Sequence, residues 1–579
     1  MKISYLSVEH FRSIKKCQLR LNEITAIVGE NNAGKTALLR ALNCVFNWNE
    51  EKQCFYDNTH QYAPRTVTKI TITFDDIPNK PIYQNKLYNN KLILNFSYSY
   101  SNTRRKKSLY CVSPSGDTSI DDSFIEELKQ DIDYVYIPAN RGNSDLTWGN
   151  SSVFERVLIG YSQLFTQSRD NASVQVSRVG NSLKSSIFSK IEREIENMSM
   201  LDSSEHYNFD YTEPLDYSLF LNKVGIRIND SGKCYPVTEY GSGIKSLSVI
   251  ALYRALAKIK NANVVLGLEE PEINLHPHAQ KKLIASIKHN RQQSEVQALI
   301  ATHSTVMVDE LEHDDVILAH RVTDLKRGFH TEFSQIEDDF WVKYNLNTFK
   351  HNKFFKYKNS DFFFAKYIVI VESSTDAEVI HRLIHEKLGE RNYYVSILNL
   401  DGIKNLKYPY FLLKSLRIRF SMVVDMDFLT QYKNDKLENS RNEFSYLPEY
   451  KNVLNSHNPV INDIWKTESE RSQITNALQK SYSAAFEACK SKNLLPMQYC
   501  LEMDLIANKE TQKQYCLIMD IEYNNDANKR LLIDKRDTVK NAEKIIQVIS
   551  NVKPNKYPYS FKKIRKAICD DIGNLFQNK

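Results

Sequence analysis

Ile24-Thr25-Ala26-Ile27-Val28-Gly29-Glu30-Asn31-Asn32-Ala33-Gly34-Lys35-Thr36-Ala37-Leu38-Leu39-Arg40-Ala41-Leu42 decides the first half of this chain. An apolar, β-branched run predicts a buried strand, a glycine-bounded octet breaks it, and helix formers follow. The glycines let backbone N–H groups turn inward around phosphates, and the helix N-terminus adds a favourable dipole. Asn31, Asn32 and Gly34 lie in that wrap. Lys35 is expected to reach the β- and γ-phosphates of ATP, and the Thr36 hydroxyl to ligate Mg²⁺. Only 16 of 579 residues are glycine, so glycine abundance does not explain the pattern.

Three further pieces complete a nucleotide site. Val264-Val265-Leu266-Gly267-Leu268-Glu269-Glu270-Pro271 is an apolar strand ending in two carboxylates. Glu269 is placed to support the magnesium shell and Glu270 to polarise the attacking water. After the strand Ala298-Leu299-Ile300-Ala301, His303 stands where a γ-phosphate would be sensed. Tyr240-Gly241-Ser242-Gly243-Ile244-Lys245-Ser246 opens a helix with small residues, an anion-binding end. In this order, with Phe11-Arg12-Ser13-Ile14 and Glu269-Glu270-Pro271-Glu272-Ile273-Asn274-Leu275-His276-Pro277, the pieces resemble the ABC-type ATPase heads of SMC-like and OLD (overcoming lysogenisation defect) proteins. The resemblance implies that Ser242 and Gly243 cap ATP bound on another head, that Asn274 and His276 lie in a dimer-facing loop, and that Gln61 is the Q-loop candidate. One departure is that Glu269 stands where Asp is commoner.

The second half carries another acidic pattern. Tyr367-Ile368-Val369-Ile370-Val371 ends in Glu372, with Asp376 four residues on. Tyr393 to Leu400 ends at Asp401-Gly402, and Met422-Val423-Val424 delivers Asp425-Met426-Asp427. In an open parallel sheet the strand C-termini gather at one edge, so Glu372, Asp425 and Asp427 should converge. Clustered carboxylates repel unless a cation neutralises them, and oxygen-only ligands favour Mg²⁺ or Mn²⁺. This set resembles a Toprim domain, the module of topoisomerases, primases and OLD nucleases. No cysteine set exists for a primase zinc module, and an upstream ABC-type head is the OLD arrangement. The resemblance adds Glu502 within Gln498-Tyr499-Cys500-Leu501-Glu502-Met503-Asp504-Leu505, with Asp504 as the nearby alternative, and a late catalytic lysine, Lys540 or its rival Lys535. Ser373 stands where Toprim domains usually place Gly.

These readings imply two-metal phosphodiester hydrolysis: one ion held by Glu372, Asp425 and Asp427, the other by Asp376 and Glu502. The expected architecture is α/β: an ABC-type ATPase head (1–144 and 226–345) with a helical dimerisation insert (145–225), a Rossmann-like Toprim core (365–435) and a helical C-terminal extension (436–579). Residues 350–366 read as a linker. The expected function is an ATP-regulated, divalent-metal-dependent DNA endonuclease. OLD-like proteins imply an antiphage setting, a homodimer or higher oligomer, and a partner such as a Gabija helicase or a retron reverse transcriptase. The rival reading is an ATP-driven DNA clamp or sensor ATPase whose Toprim half is inert.

Bulk properties narrow the class without choosing it. A net charge of +7 permits DNA as partner but requires any binding face to be local. Two basic runs, Arg104-Arg105-Lys106-Lys107 and Lys562-Lys563-Ile564-Arg565-Lys566, are candidates. The nine cysteines occur singly, which reads as reduced thiols in a cytoplasmic protein. No run approaches the ~18 apolar residues a membrane span needs, arguing against a transporter or membrane partner.

Overall fold

The apolar run ahead of the glycine-rich loop forms the strand Ile24–Gly29, buried along its whole length. A computed structural model describes residues 1–577 apart from 102–104, 115, 150–151, 199–207, 212–216, 231, 260–262, 290–295, 325–327 and 348–359. The chain divides into two compact units, Met1–Phe333 and Ser334–Lys579. The expected linker lies mostly outside the described residues.

In the first unit, Ile24–Gly29 sits in a parallel array between Val296–Ala301 and Val316–Asp324, followed outward by Asn263–Glu269 and Ile132–Ile137. All belong to one 13-stranded sheet whose other half is antiparallel, built on Lys2–Phe11, Ile14–Arg20, Val67–Asp75 and Lys91–Ser99. Parallel strands buried on both faces read as unbroken apolar runs, whereas Val67–Asp75 and Lys91–Ser99 alternate buried and half-exposed residues. The helix Lys35–Phe46 runs from the loop and buries Leu38, Leu39 and Leu42 against the core with Ile27, Val265 and Leu299. A second helix, Trp48–Tyr56, follows at once.

The insert contains the helices Val153–Leu164, Thr166–Leu183 and Ser189–Met198. Its root packs Leu146, Val153 and Val157 against Val249 and Leu256 of the helix Ser242–Ile259. Farther out, Leu164, Phe165, Val174 and Val179 are all more than half exposed.

The second unit is built on a four-stranded parallel sheet ordered Val395–Asn399, Tyr367–Val371, Phe420–Val424, Leu494–Pro496. The last strand is only three residues long, too short to carry a periodic signal. The helix Ser374–Leu388 covers the sheet, with Val379, Ile380 and Leu383 buried among Val369, Val371, Val423, Ile564 and Ile568. The C-terminal region is mainly helical and closes with Tyr559–Gln577.

Candidate functional site

The glycine-rich loop is pinned by its surroundings. Gly34 has φ 92°, and a Cβ there would lie 2.4 Å from Thr331 Oγ1 and 2.7 Å from Ser13 Oγ. Ser13 belongs to the Phe11-Arg12-Ser13-Ile14 turn, which explains why that turn and the loop occur together. Asn32 also takes a left-handed backbone, φ 60°. Lys35 is 5% exposed; its ammonium donates to the carbonyls of Gly29 (3.2 Å) and Glu30 (3.0 Å) and lies 2.6 Å from His303 Nε2. Burial draws Lys35 down to about 8. Burial, then the neighbouring Lys35, draws His303 down to about 4, so its imidazole is neutral at pH 7 and accepts from the ammonium.

The paired acids stand beside this lysine. Thr36 Oγ1 donates to Glu269 Oε1, and the Tyr136 hydroxyl donates to Glu269 Oε2 at 2.5 Å. The longer Glu in place of the commoner Asp is thereby held at both oxygens. A hydroxyl and a carboxylate in contact supply the hard oxygen donors Mg²⁺ prefers, so the residues fit that ion. Glu270 Oε1 lies 3.8 Å from His303 Nε2. Burial, then the charges of Glu272 and Glu269, raises its pKa above the ordinary carboxylate range, which makes it a stronger base.

Sequence reasoning missed two residues here, Tyr136 and Arg141. Both follow from the strand Ile132–Ile137 lying next to Asn263–Glu269 in the sheet, a pairing no local pattern shows. The Arg141 guanidinium donates to the carbonyls of Glu269 (3.1 Å) and Glu270 (2.8 Å). Glu270 has φ 42°, a conformation costing an L residue roughly 1–3 kcal/mol unless its surroundings enforce it. Arg141 thus holds the turn that aims Glu270. Arg141→Ala is expected to slow ATP hydrolysis about 10- to 100-fold, the weight of charged hydrogen bonds to a positioned group, while nucleotide affinity changes less than about threefold. Turnover and nucleotide titrations measured on the same preparation check this.

Ser242 and Gly243 open the helix Ser242–Ile259, and a Cβ on Gly243 would lie 2.5 Å from the Asn274 carbonyl oxygen. The signature-like turn therefore packs on the Asn274 loop of its own chain. Asn274 has φ 64°, and the His276 ring stacks on His278 at 5.5 Å. Gln61 forms an isolated bridge with Phe11. Beside it, Glu51 accepts from Arg40 (3.0 and 2.8 Å), Asn43 (3.0 Å) and His60 (2.7 Å). Cys44, Glu51 and His60 are close enough to suggest a metal, yet Glu51 is already saturated by these donors and held at about 2 by them against burial. The group is an ion-pair network bracing the helix behind the loop.

In the second unit, Glu372 follows the strand Tyr367–Val371, Asp425 follows Phe420–Val424, and Glu502 follows Leu494–Pro496 by way of the helix Leu501–Ala507. All three strands are parallel, so these acids and Asp427 share the C-terminal edge. Their mutual repulsion registers in every member that shifts. Desolvation, then Asp376, Asp427 and Glu502, raises Glu372. Desolvation, then Asp376, Glu372, Asp427 and Glu502, raises Asp425 well above the carboxylate range. Asp427 is open to solvent, but the surrounding protein walls still raise it. Among the described residues no three of these acids hold oxygens within 4.8 Å of one another. Like charges share one edge while keeping their distance, and the oxygen-only donor set fits Mg²⁺ or Mn²⁺.

Lys540 Nζ lies 3.5 Å from Glu502 Oε1, so it, and not Lys535, is seen in contact with the acid set. Asp504 works elsewhere, accepting from the N–H groups of Gln498 (3.0 Å) and Tyr499 (2.8 Å) and from the Ser560 hydroxyl. Burial still pushes it to about 7; it braces the segment that carries Glu502. Asp376 serves twice, at the acid edge and as a cap. Its Oδ2 accepts from Ser373 N (3.0 Å) and Oγ (2.6 Å), while Ser373 Oγ accepts from Asp376 N, a reciprocal cap on the helix Ser374–Leu388. Ser373 has φ −132°, ordinary extended backbone, so no glycine is needed there.

Several cations of the basic runs are paired within the chain. Arg104 lies outside the described residues; Lys107 pairs with Asp122, Lys563 with Glu487 (2.6 Å), and Arg565 donates to the Leu383 carbonyl (2.7 Å). Helix-surface cations adjacent in sequence point in different directions, so a run does not make a patch.

Comparison with known proteins agrees with both halves. The AAA ATPase domain pattern matches residues 1–308, and the TOPRIM domain of overcoming lysogenization defect protein-like sequences matches residues 363–427. The chain is 23% identical to the Old nuclease of Escherichia phage P2 over 74% of its own length and 78% of that protein. It is 22% identical to the OLD nuclease of Thermus scotoductus, covering 73% and 81%. It is also 21% identical to the endonuclease GajA of Bacillus cereus, covering 58% and 54%.

Proposed function

This chain belongs to the AAA ATPase domain family, and given its OLD-like Toprim half we propose that it is an ATP-regulated, divalent-metal-dependent DNA endonuclease. The observation that carries the reading is the gathering of Glu372, Asp376, Asp425, Asp427 and Glu502 at one sheet edge, each raised acid lifted first by desolvation and then by its neighbours.

Glu372, Asp425, Asp427 and Glu502, with the free oxygen of Asp376, would hold Mg²⁺ or Mn²⁺, which supplies Lewis-acid polarisation of a phosphodiester. The Tyr432 hydroxyl donates to Asp427 at 3.2 Å and fixes how that carboxylate is presented. Lys540 offsets the charge that builds on the scissile phosphate. In the other unit Lys35 and Thr36 bind the phosphates and magnesium of ATP, His303 reads the γ-phosphate as a neutral imidazole, and Glu270 polarises the attacking water.

Two heads acting together complete the reading: Ser242 and Gly243 would cap ATP on a second copy. The insert leaves Leu164, Phe165, Val174 and Val179 more than half exposed, apolar surface that a second copy would cover. The likeness to OLD- and Gabija-type nucleases supports an antiphage role, with a helicase or a reverse transcriptase as partner. Among the described residues no helix is long and apolar enough to cross a membrane.

Incubating supercoiled plasmid with the purified protein tests the reading. Nicked or linear product should appear with Mg²⁺ or Mn²⁺ and vanish in EDTA. ATP hydrolysis without cutting under any ion would favour the clamp or sensor reading, to which the partly committed Asp376 lends itself.

A further inference from the structure

Beside the acid edge stands a ladder of tyrosines whose ring faces the catalytic reading does not use. Tyr432 and Tyr450 are register partners on the hairpin Thr430–Tyr432 and Tyr450–Leu454, with rings stacked at 5.2 Å and 22°. Tyr450 stacks in turn on Tyr499 at 6.4 Å and 27°. All three are partly exposed. Both ends are tied to the carboxylates: the Tyr432 hydroxyl donates to Asp427, and the Tyr499 carbonyl accepts from Met426 N, between Asp425 and Asp427, at 2.9 Å.

A cross-strand aromatic pair steadies its hairpin, but the third ring, Tyr499, lies outside the hairpin and extends the stack beyond that need. One guanidinium stands near the stack, because Tyr432 is among the groups acting on Arg441, and a second, Arg536, stands near Arg441 in turn. Arg441 donates to the Tyr446 carbonyl (2.7 Å), and Arg536 pairs with Glu438 (3.2 Å). They are near enough that Arg536 is the chief charge depressing Arg441, after burial. Like charges held together beside aromatic faces match the chemistry of a nucleic-acid strand: phosphates for the arginines, bases for the rings.

We propose that Tyr432, Tyr450 and Tyr499 form a stacking platform for unpaired nucleobases next to the scissile phosphate, with Arg441 and Arg536 on the adjoining backbone, so that the strand entering the nuclease site is locally single-stranded DNA. The inference rests on the endonuclease reading and names its substrate form. A duplex hides its base faces in its own stack, so only a melted or frayed segment can use the platform.

Anisotropy of a short labelled thymidine oligonucleotide, with Ca²⁺ replacing the supporting ion to prevent cutting, tests this. The full-length protein should bind the oligonucleotide about tenfold or more tightly than the same strand lacking its bases. Tyr450→Leu should drop binding to the level of the base-less strand, and Tyr450→Phe should keep it. Equal binding of the two strands by the wild type, or no loss with a folded Tyr450→Leu, overturns the platform; if that variant does not fold, the base-less strand decides alone. Plasmid cutting with Mn²⁺, run on the same preparation, separates the two claims. Cutting without base-dependent binding rejects the platform alone. Base-dependent binding without cutting rejects the nuclease reading and leaves the tyrosines as a single-strand binding platform with no scissile phosphate beside it.

Discussion

Asp425→Ala is expected to lower plasmid cleavage at least about a thousandfold while leaving ATP hydrolysis intact. Asp425 follows the inner strand Phe420–Val424, and beyond its desolvation it feels the charges of Asp376, Glu372, Asp427 and Glu502. Its loss would therefore weaken the hold on a shared cation. Stabilisation of charge by such a cation is worth several kcal/mol in the transition state, and each ~1.4 kcal/mol is tenfold in rate. The same desolvation and repulsion make Asp425 a liability without the ion. Asp425→Asn, which keeps the shape and deletes the charge, should therefore raise the thermal midpoint in EDTA and abolish the further rise that Mn²⁺ gives the wild type. Parallel measurements of nicking, phosphate release and melting check all three outcomes. Cutting that survives either substitution would discredit the site assignment.

Lys35→Ala carries the second large effect. The ammonium donates to the loop carbonyls and to His303, and on the proposed reading it would turn to the phosphates of bound ATP. Losing a charged hydrogen-bond donor of ~1.5–3 kcal/mol weakens nucleotide binding about 10- to 100-fold. Removing a group that stabilises developing charge slows hydrolysis by a further ~10²–10³. Because burial has already lowered its pKa to about 8, Lys35→Arg is no conservative rescue: the guanidinium stays charged and its fork does not fit a site built for a point charge. Cleavage should lose its response to ATP in the Lys35→Ala protein, whichever sign that response has. Fluorescent-nucleotide titration, phosphate release and nicking with and without ATP provide the readings. An ATP response that persists would remove the nucleotide site from control of the nuclease.

Much of both sites was legible because short-range order carried it. A glycine-rich loop between an apolar strand and a helix cradles phosphate, and acids placed after apolar strands meet at a parallel sheet's edge once those strands pair. Lys35, Thr36, Glu269, Glu270 and His303 come together in this way, as do Glu372, Asp425 and Asp427. The resemblance added Glu502, and a three-residue strand too short to announce itself delivers it.

Tertiary structure decided what depends on neighbours far away in the chain. Tyr136 and Arg141 reach the paired acids only because their strand lies beside Asn263–Glu269, more than a hundred residues later. Contact with Glu502 favours Lys540 over Lys535, and hydrogen bonds from Gln498, Tyr499 and Ser560 turn Asp504 into a brace. Lys107 and Lys563 of the basic runs became partners in surface ion pairs, and tyrosines 432, 450 and 499 became a stack. Sequence by itself determined the strands, the loop and the chemical character of each acid, since backbone propensity and periodicity are local. Which side chains share an oxygen, a charge or a ring face is set by strand order and helix packing, and those are global.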